Sequence, residues 1–399
     1  MSYTNPQEKF AFFSVTFLLF YLSYRYPLQI NFSGTSPTYT DTPLFLQLTK
    51  FFIAILSCLY LSFFNIKKLS GSGLTLSYLI LLFECPQLFK GLILIDKNYI
   101  ENSFWIFTSF LFALHLRSIS ENMINKSIKI LFLFSISVNL TQLILFLTYN
   151  RLPALAYDGS LSVRFGSFLD DPNGFSALCF LFVGWSLGLE KKSSRYAYTL
   201  LATLMILISQ SLTSIGILLM LFLIKTLKII FIEKSPAKIF ALCIFILLAI
   251  TFIACAYDYL LIFYEIKEAS IKEHTQTGFL SFFDGDIIQI LVGGVDYKFY
   301  ESWWMRSFFN MGIIWCSIQI TLNLFYLVIL YYKLRKSTNT VEKKILLATS
   351  IFSLAFFIGS FNLPFGSVFP INFLYYLLMF LTLLGFNNKE FRARHENAI

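Results

Sequence analysis

The chain has 399 residues, of which 57% are apolar and only 13% charged, against roughly 45–50% and about 25% in a soluble domain. Forty-eight phenylalanines exceed what a water-facing surface tolerates, so a soluble fold is excluded and a lipid-embedded one expected. The formal charge of +9 then reads as basic residues anchoring cytoplasmic loops rather than as a nucleic-acid footprint.

In chain order the apolar runs predict about twelve membrane-spanning helices, near 10–27, 43–64, 74–95, 102–117, 128–148, 174–190, 196–210, 212–232, 239–257, 309–332, 345–361 and 367–386. The first run lacks a small-residue cleavage motif behind it and reads as a retained helix. The seventh and eighth spans form one long apolar stretch. The polar triplet Ser209-Gln210-Ser211 divides it into a tight hairpin. The basic residues test this parse. With both termini in the cytoplasm, twenty-one lysines and arginines fall on the inner side, while the short outer loops hold only Lys97, Arg151 and Arg164. Without the hairpin, the basic loop at 225–238 would fall on the wrong side. The expectation is an all-α polytopic membrane protein with one integral domain over 1–399.

The six cysteines (58, 85, 179, 243, 255 and 316) all lie within apolar runs, and no CxxC pair exists. Neither a disulfide framework nor a metal site is indicated, and no cofactor is expected.

Two outer segments, 149–173 and 258–308, are long, polar and rich in turn residues. Segments of that kind carry function more often than their neighbours do. In the first, Asp171 and Pro172 make a helix start: aspartate accepts from free N–H groups, and proline at the first helical position loses nothing. Arg164 lies seven residues earlier, near Gly166. Two readings stand for it. It either binds a diphosphate together with the helix N-terminus, or snorkels to lipid headgroups.

In the second segment, carboxylates and lysines alternate with Tyr297, Phe299, Tyr300, Trp303 and Trp304. Aromatic residues among polar groups suit sugar rings and suit an interfacial belt equally. Glu301 reads as a general base near an apolar rim or as an ion-pair partner of Lys298. His274, the one histidine of the outer loops, is a second candidate base or an ordinary surface residue. Inside the spans, Glu84 stands near the middle of the third, just before Cys85-Pro86, and Lys90 near its outer end. Charges at such depth face a bundle interior or mark a pathway, while Lys90, near the outer end, reads also as snorkelling to the headgroups. Asn139 and Gln142, one turn apart, are placed to bond neighbouring helices.

Three runs carry a resemblance. The run Arg164-Phe-Gly166-Ser-Phe-Leu-Asp-Asp171-Pro172-Asn173-Gly-Phe175-Ser176-Ala resembles the motif that opens a mid-chain span in O-antigen polymerases and ligases. The run Ser209-Gln-Ser-Leu-Thr213-Ser214 with Gly216 resembles the short hydroxyl-rich turn between two later spans of that family. Gly293-Gly294, Glu301-Ser302-Trp303 and Gly312 resemble the end of its large periplasmic loop. The resemblance covers roughly 130–333, in order and with matching topology.

The resemblance implies a membrane fold like that of the C-type glycosyltransferases (GT-C-like), with a large periplasmic loop before the tenth span. It also implies transfer of a polyprenyl (undecaprenyl) diphosphate-linked glycan at the outer face of the bacterial inner membrane, without a nucleotide sugar. Arg164, Asn173 and Arg306 would hold the diphosphate, Trp303 and Tyr300 would contact sugar, and Glu301 or His274 would deprotonate the acceptor. Membrane lipid, a chain-length regulator and a flippase are the implied partners. The ligase pattern carries His-Asn where this chain has Glu301-Ser302, which favours the polymerase. The early-loop arginine of the family has no counterpart here; Lys272, His274 and Gln276 stand in its place. A transporter of lipid-linked sugars, with a midplane site, is the reading from another class. The topology is testable by placing a single cysteine at Ser160 in a cysteine-free background. An impermeant maleimide is expected to label it from outside the inner membrane, and labelling only after permeabilisation overturns the parse.

Overall fold

A computed structural model describes residues 6–20, 44–63, 71–94, 97–116, 121–149, 165–169, 172–227, 286–294, 302–363 and 365–385, with isolated helical positions between 236 and 268. The described residues are helical or in turns, with no strand. In chain order the helices are α1 Pro6–Phe20, α2 Leu44–Ser62, α3 Ser72–Leu94, α4 Lys97–Leu116, α5 Glu121–Tyr149 and α6 Pro172–Leu187. They continue with α7 Lys192–Ile208, α8 Leu212–Leu227, the short α9 Ile287–Val292, α10 Trp303–Lys336, α11 Thr340–Gly359 and α12 Ile371–Leu384. Every expected span but the ninth, 239–257, has a helix at its place; the ninth lies outside the described residues apart from single positions.

Three described helical stretches, Gly73–Ile93, Glu121–Ile144 and Trp303–Lys336, are long and apolar enough to cross a membrane. Shorter apolar helices, among them Pro172–Leu187 and Ile371–Leu384, pack with them. This is a helical membrane protein by its composition and helix lengths. Large apolar side chains lie exposed along the outer helices, including Phe13, Phe52, Leu82, Phe89, Ile144 and Val328. On a soluble protein such a surface would aggregate; against lipid it is the ordinary solvent contact.

Two helices form the centre because they are apolar on every side. In α12, residues Ile371 to Leu383 are all buried, and in α6 the residues from Gly174 to Ser186 are. The α6 helix packs against α7 and α11, and α12 packs against α4 and α3. Flat rings fill the seams: Tyr375 of α12 stacks on Phe356 of α11 with centroids 3.9 Å apart, and Trp105 of α4 lies 4.3 Å from Phe369. An apolar cavity of about 210 Å³ opens between α1, α5 and α12, lined by Phe12, Val15, Ile128 and Leu377 among others.

The hairpin is where the sequence placed it. The α7 helix ends at Ile208, Gln210 turns the chain with φ +50°, and α8 starts at Leu212. Several helix starts come earlier than expected, α5 at Glu121 against 128 among them, and one changes the reading of a loop. Residues 303–308 read as loop, yet the tenth helix begins at Trp303 and is interrupted at Gly312 (φ +80°, ψ 167°). The aromatic and charged side chains of 303–308 hid a helix because they face protein neighbours, not lipid.

Close approach of helices rests on small residues, as lipid-embedded packing requires. A Cβ added at Gly184 of α6 would sit 2.6 Å from Ala348 Cα and 2.7 Å from the Leu347 carbonyl of α11. Gly216 of α8 has nothing within 4 Å of the same position. Gly184→Ala is therefore expected to lower the thermal stability of the detergent-solubilised protein, by an overpacking cost of about 1–3 kcal/mol. Gly216→Ala is expected to leave it equal or raise it. Equal melting temperatures for the two variants would refute the α6–α11 contact.

Candidate functional site

Four helix ends meet at one end of the bundle: the starts of α6, α8 and α10 and the finish of α11. They are joined by hydrogen bonds from side-chain hydroxyls, amides and backbone groups, with aromatic packing beside them.

The first component is the turn that precedes α6. Phe165, Gly166, Ser167, Phe168 and Leu169 are all buried. Ser167 has φ +54°; its hydroxyl donates to the Ser135 carbonyl of α5 at 3.0 Å, and its carbonyl accepts from Gln142 Nε2 at 2.8 Å. Phe165 N donates to the Ile208 carbonyl at the end of α7, at 3.5 Å. Gln142 thus bonds outside its own helix, as expected, while Asn139 has no hydrogen-bond partner among the described residues.

Pro172 is the first residue of α6, as the sequence indicated. Asp171, its expected cap, lies outside the described residues. Asn173 is half-buried in the first turn, and its carbonyl accepts from Ser176 Oγ at 2.7 Å. The Ser176 and Ser214 hydroxyls are 2.6 Å apart, tying α6 to α8. One residue earlier on α8, Thr213 Oγ1 accepts from Asn362 Nδ2, just beyond α11, at 2.6 Å.

The α10 and α11 ends cap each other. A helix start carries unbonded N–H groups and a helix finish carries unbonded carbonyls. Here Trp303 N donates to Leu363 O at 3.1 Å and Trp304 N to Ser360 O at 3.0 Å. Ser302 caps α10: its hydroxyl accepts from Met305 N at 3.2 Å and donates to Phe361 O at 2.6 Å. The Trp304 indole N–H adds a bond to Phe357 O at 3.1 Å. A serine cap is worth about 1 kcal/mol by itself, and the interhelical bonds add to it.

Behind this seam α10 breaks at Gly312, and the freed carbonyls find donors from elsewhere. The Phe309 carbonyl accepts from Gly294 N at 2.9 Å, and the Asn310 carbonyl accepts from Lys90 Nζ of α3. Asn310 Nδ2 donates to Tyr99 Oη at 2.8 Å, and Tyr99 Oη donates to the Arg306 carbonyl at 2.9 Å. Lys90, which a hydropathy reading sends out to the headgroups, is therefore held inward on the kink. The α9 end makes room by glycine alone. A Cβ on Gly293 would lie 2.2 Å from Asn310 O, and one on Gly312 2.3 Å from Leu291 O.

Of the residues singled out in sequence, Pro172, Asn173, Trp303 and Arg306 fall at this end. Arg306 is 6% exposed, with its guanidinium carbon 5.9 Å from the Tyr99 ring centre. The Trp303 indole is 2% exposed and lies against Gly366 and 5.8 Å from Tyr99, inside the packing. Arg164, Asp171, His274, Tyr300 and Glu301 lie outside the described residues. Sequence reasoning missed Tyr99 and Asn362, which are ordinary in composition and matter only through distant partners. It also missed an ion pair: Lys50 Nζ of α2 is 2.5 Å from Glu101 Oε1 of α4 and 4.9 Å from the ring centres of Phe51 and Phe369. No group of three histidine, cysteine or acidic residues able to hold a metal occurs among the described residues.

No protein-family model matches the chain, and no curated protein or solved structure is similar to it.

The two paired glycines separate two effects. Both have positive φ, +89° at Gly293 and +107° at Gly294, but only Gly293 faces backbone within contact distance. Gly293→Ala is expected to destabilise the protein more than Gly294→Ala, which carries the conformational strain alone. Thermal unfolding in detergent reads the difference. A larger loss at Gly294 would remove the α9–α10 backbone contact from the account.

Proposed function

We propose that the chain is an oligosaccharide-repeat polymerase of the inner membrane, acting at its periplasmic face on polyprenyl-diphosphate-linked glycans. The observation that carries this reading is the convergence of the three resembling motifs. The turn after Arg164 hydrogen-bonds to the end of α7, Ser176 of the first motif meets Ser214 of the second, and Asn362 links Thr213 of the second to the α11 end that caps Ser302 of the third. Runs lying between residues 165 and 312 but not adjacent in sequence are brought to one end of one bundle. A site assembled from several elements is what a two-substrate transfer needs.

In this reading Arg164, Asn173 and Arg306 hold the diphosphate of the donor, with arginine supplying two-pronged contacts. Glu301 or His274 takes the proton from a sugar hydroxyl of the acceptor. The hydroxyl oxygen attacks the anomeric carbon of the donor glycan, the bond from that carbon to the diphosphate oxygen breaks, and polyprenyl diphosphate leaves with the electron pair. Tyr300 contacts sugar, and Trp303, packed beneath the Ser302 cap, fixes the floor. The chain adopts the GT-C-like arrangement, with about twelve spans and both termini cytoplasmic. A chain-length regulator and a flippase are its partners.

One observation favours a second reading, a transporter of the same lipid-linked sugars: Glu84 is buried near the middle of the long apolar α3 helix. Deletion of the protein separates the two. Loss of the polysaccharide ladder, leaving lipid core with a single repeat unit, is the polymerase outcome. Loss of every repeat unit from the core refutes the polymerase and supports the transporter or a ligase. Within the polymerase reading, Arg164→Ala is expected to abolish polymer at normal protein level and membrane insertion. Arg164→Lys is expected to rescue poorly, because a point charge does not replace a planar pair of donors. Normal polymer from Arg164→Ala would take Arg164 out of the site.

A further inference from the structure

Glu84 of α3 is 5% exposed, twelve residues into a helix of twenty-three. Its surroundings are unusual for a carboxylate. One oxygen, Oε1, is 2.7 Å from the Gln319 side-chain amide of α10, which is also 3.0 Å from the Gln87 amide one turn along α3. Among the described residues the other oxygen, Oε2, has no partner, nor has the outer atom of the Gln87 amide, Nε2. Tyr376 of α12 lies near the same carboxyl. Among the described residues no lysine, arginine or histidine pairs with Glu84. The nearest lysine along α3, Lys90, is committed to the Asn310 carbonyl.

A bare carboxylate in this setting leaves a charge at lipid depth that only one neutral amide answers, which is costly. With Gln319 presenting its nitrogen to Glu84 and Gln87, the Gln87 Nε2 donors are left buried and idle. The oxygen and nitrogen of an amide are distinguished only by the network they join. Turning both amides over keeps the distances of 2.7 and 3.0 Å. The Glu84 hydroxyl then donates to the Gln319 oxygen, and Gln87 donates to that same oxygen. The buried atoms of Glu84 and Gln87 left over are then both acceptors, which tolerate a missing partner better than N–H groups do. That arrangement exists only when Glu84 carries a proton.

We propose that Glu84, Gln87 and Gln319 form a proton-binding site in the membrane interior, occupied at neutral pH. The site joins α3 to the half of α10 beyond the Gly312 break, whereas Lys90 joins α3 to the half before it. Pro86 stands between the two contacts. Loss of the proton therefore acts on the break from one side only. A monovalent cation is the alternative occupant, and the amide donors of Gln319 and Gln87 count against it.

The test is an infrared difference spectrum, wild type minus Glu84→Gln, in a detergent without carbonyl groups at neutral pH. A carboxylic-acid C=O band that shifts in heavy water is expected. A carboxylate band pair in its place overturns the proposal. A second measurement needs no variant: the melting temperature of the wild-type protein in sodium chloride and in choline chloride is expected to be the same. A sodium-specific rise overturns the proton in favour of the cation.

Discussion

The structure depends on a mutual satisfaction of helix ends. In lipid, the free N–H groups at a helix start and the free carbonyls at a helix finish have no water to turn to. The start of α10 and the finish of α11 answer each other through Ser302, Trp303 and Trp304 on one side and Phe357 and Ser360 to Leu363 on the other. This single exchange determines where α10 begins, and hence where its first turns, Arg306 and the Gly312 break are placed. It also holds Asn362 in reach of Thr213, so α8 is registered against the same seam. Without it the candidate site would have separate helix tips and no fixed geometry.

The second constraint is the break itself. An interrupted helix in a membrane needs foreign donors for its released carbonyls, and here they come from two directions. Gly294 N arrives from the short α9 helix and Lys90 Nζ from α3. Glycine is required on both sides of the contact because the approach is backbone to backbone. The resembling motif Gly293-Gly294 to Gly312 thus has a mechanical meaning that does not depend on any reaction.

Much of the fold was legible because the signals were long. Continuous apolar runs placed the helices to within a few residues, and the charge asymmetry together with Ser209-Gln210-Ser211 placed the hairpin. What was not legible had one of two causes. Residues 303–308 looked like loop because hydropathy cannot tell a helix facing protein from a loop facing water. Tyr99 gave no signal, and Lys90 none of its partner, because their importance lies in contacts more than two hundred positions away. Of the candidate site, Pro172 was readable as a helix start since capping chemistry is local. The Ser176–Ser214 and Thr213–Asn362 links are not local, and nothing in the spacing announces them.

The Ser302–Phe361 bond spans 59 positions, and this orders the making of the protein. Spans enter the bilayer in the sequence in which the ribosome delivers them. The turn at 165–169 finds its partners on α5, already behind it, and on α7 soon after. The start of α10, by contrast, must wait for the whole of α11 to be synthesised and threaded before its N–H groups are answered. During that interval the chain holds a half-built end whose donors point at nothing. A nascent chain halted ahead of residue 360 would carry those N–H groups unanswered, whatever the state of the helices before it.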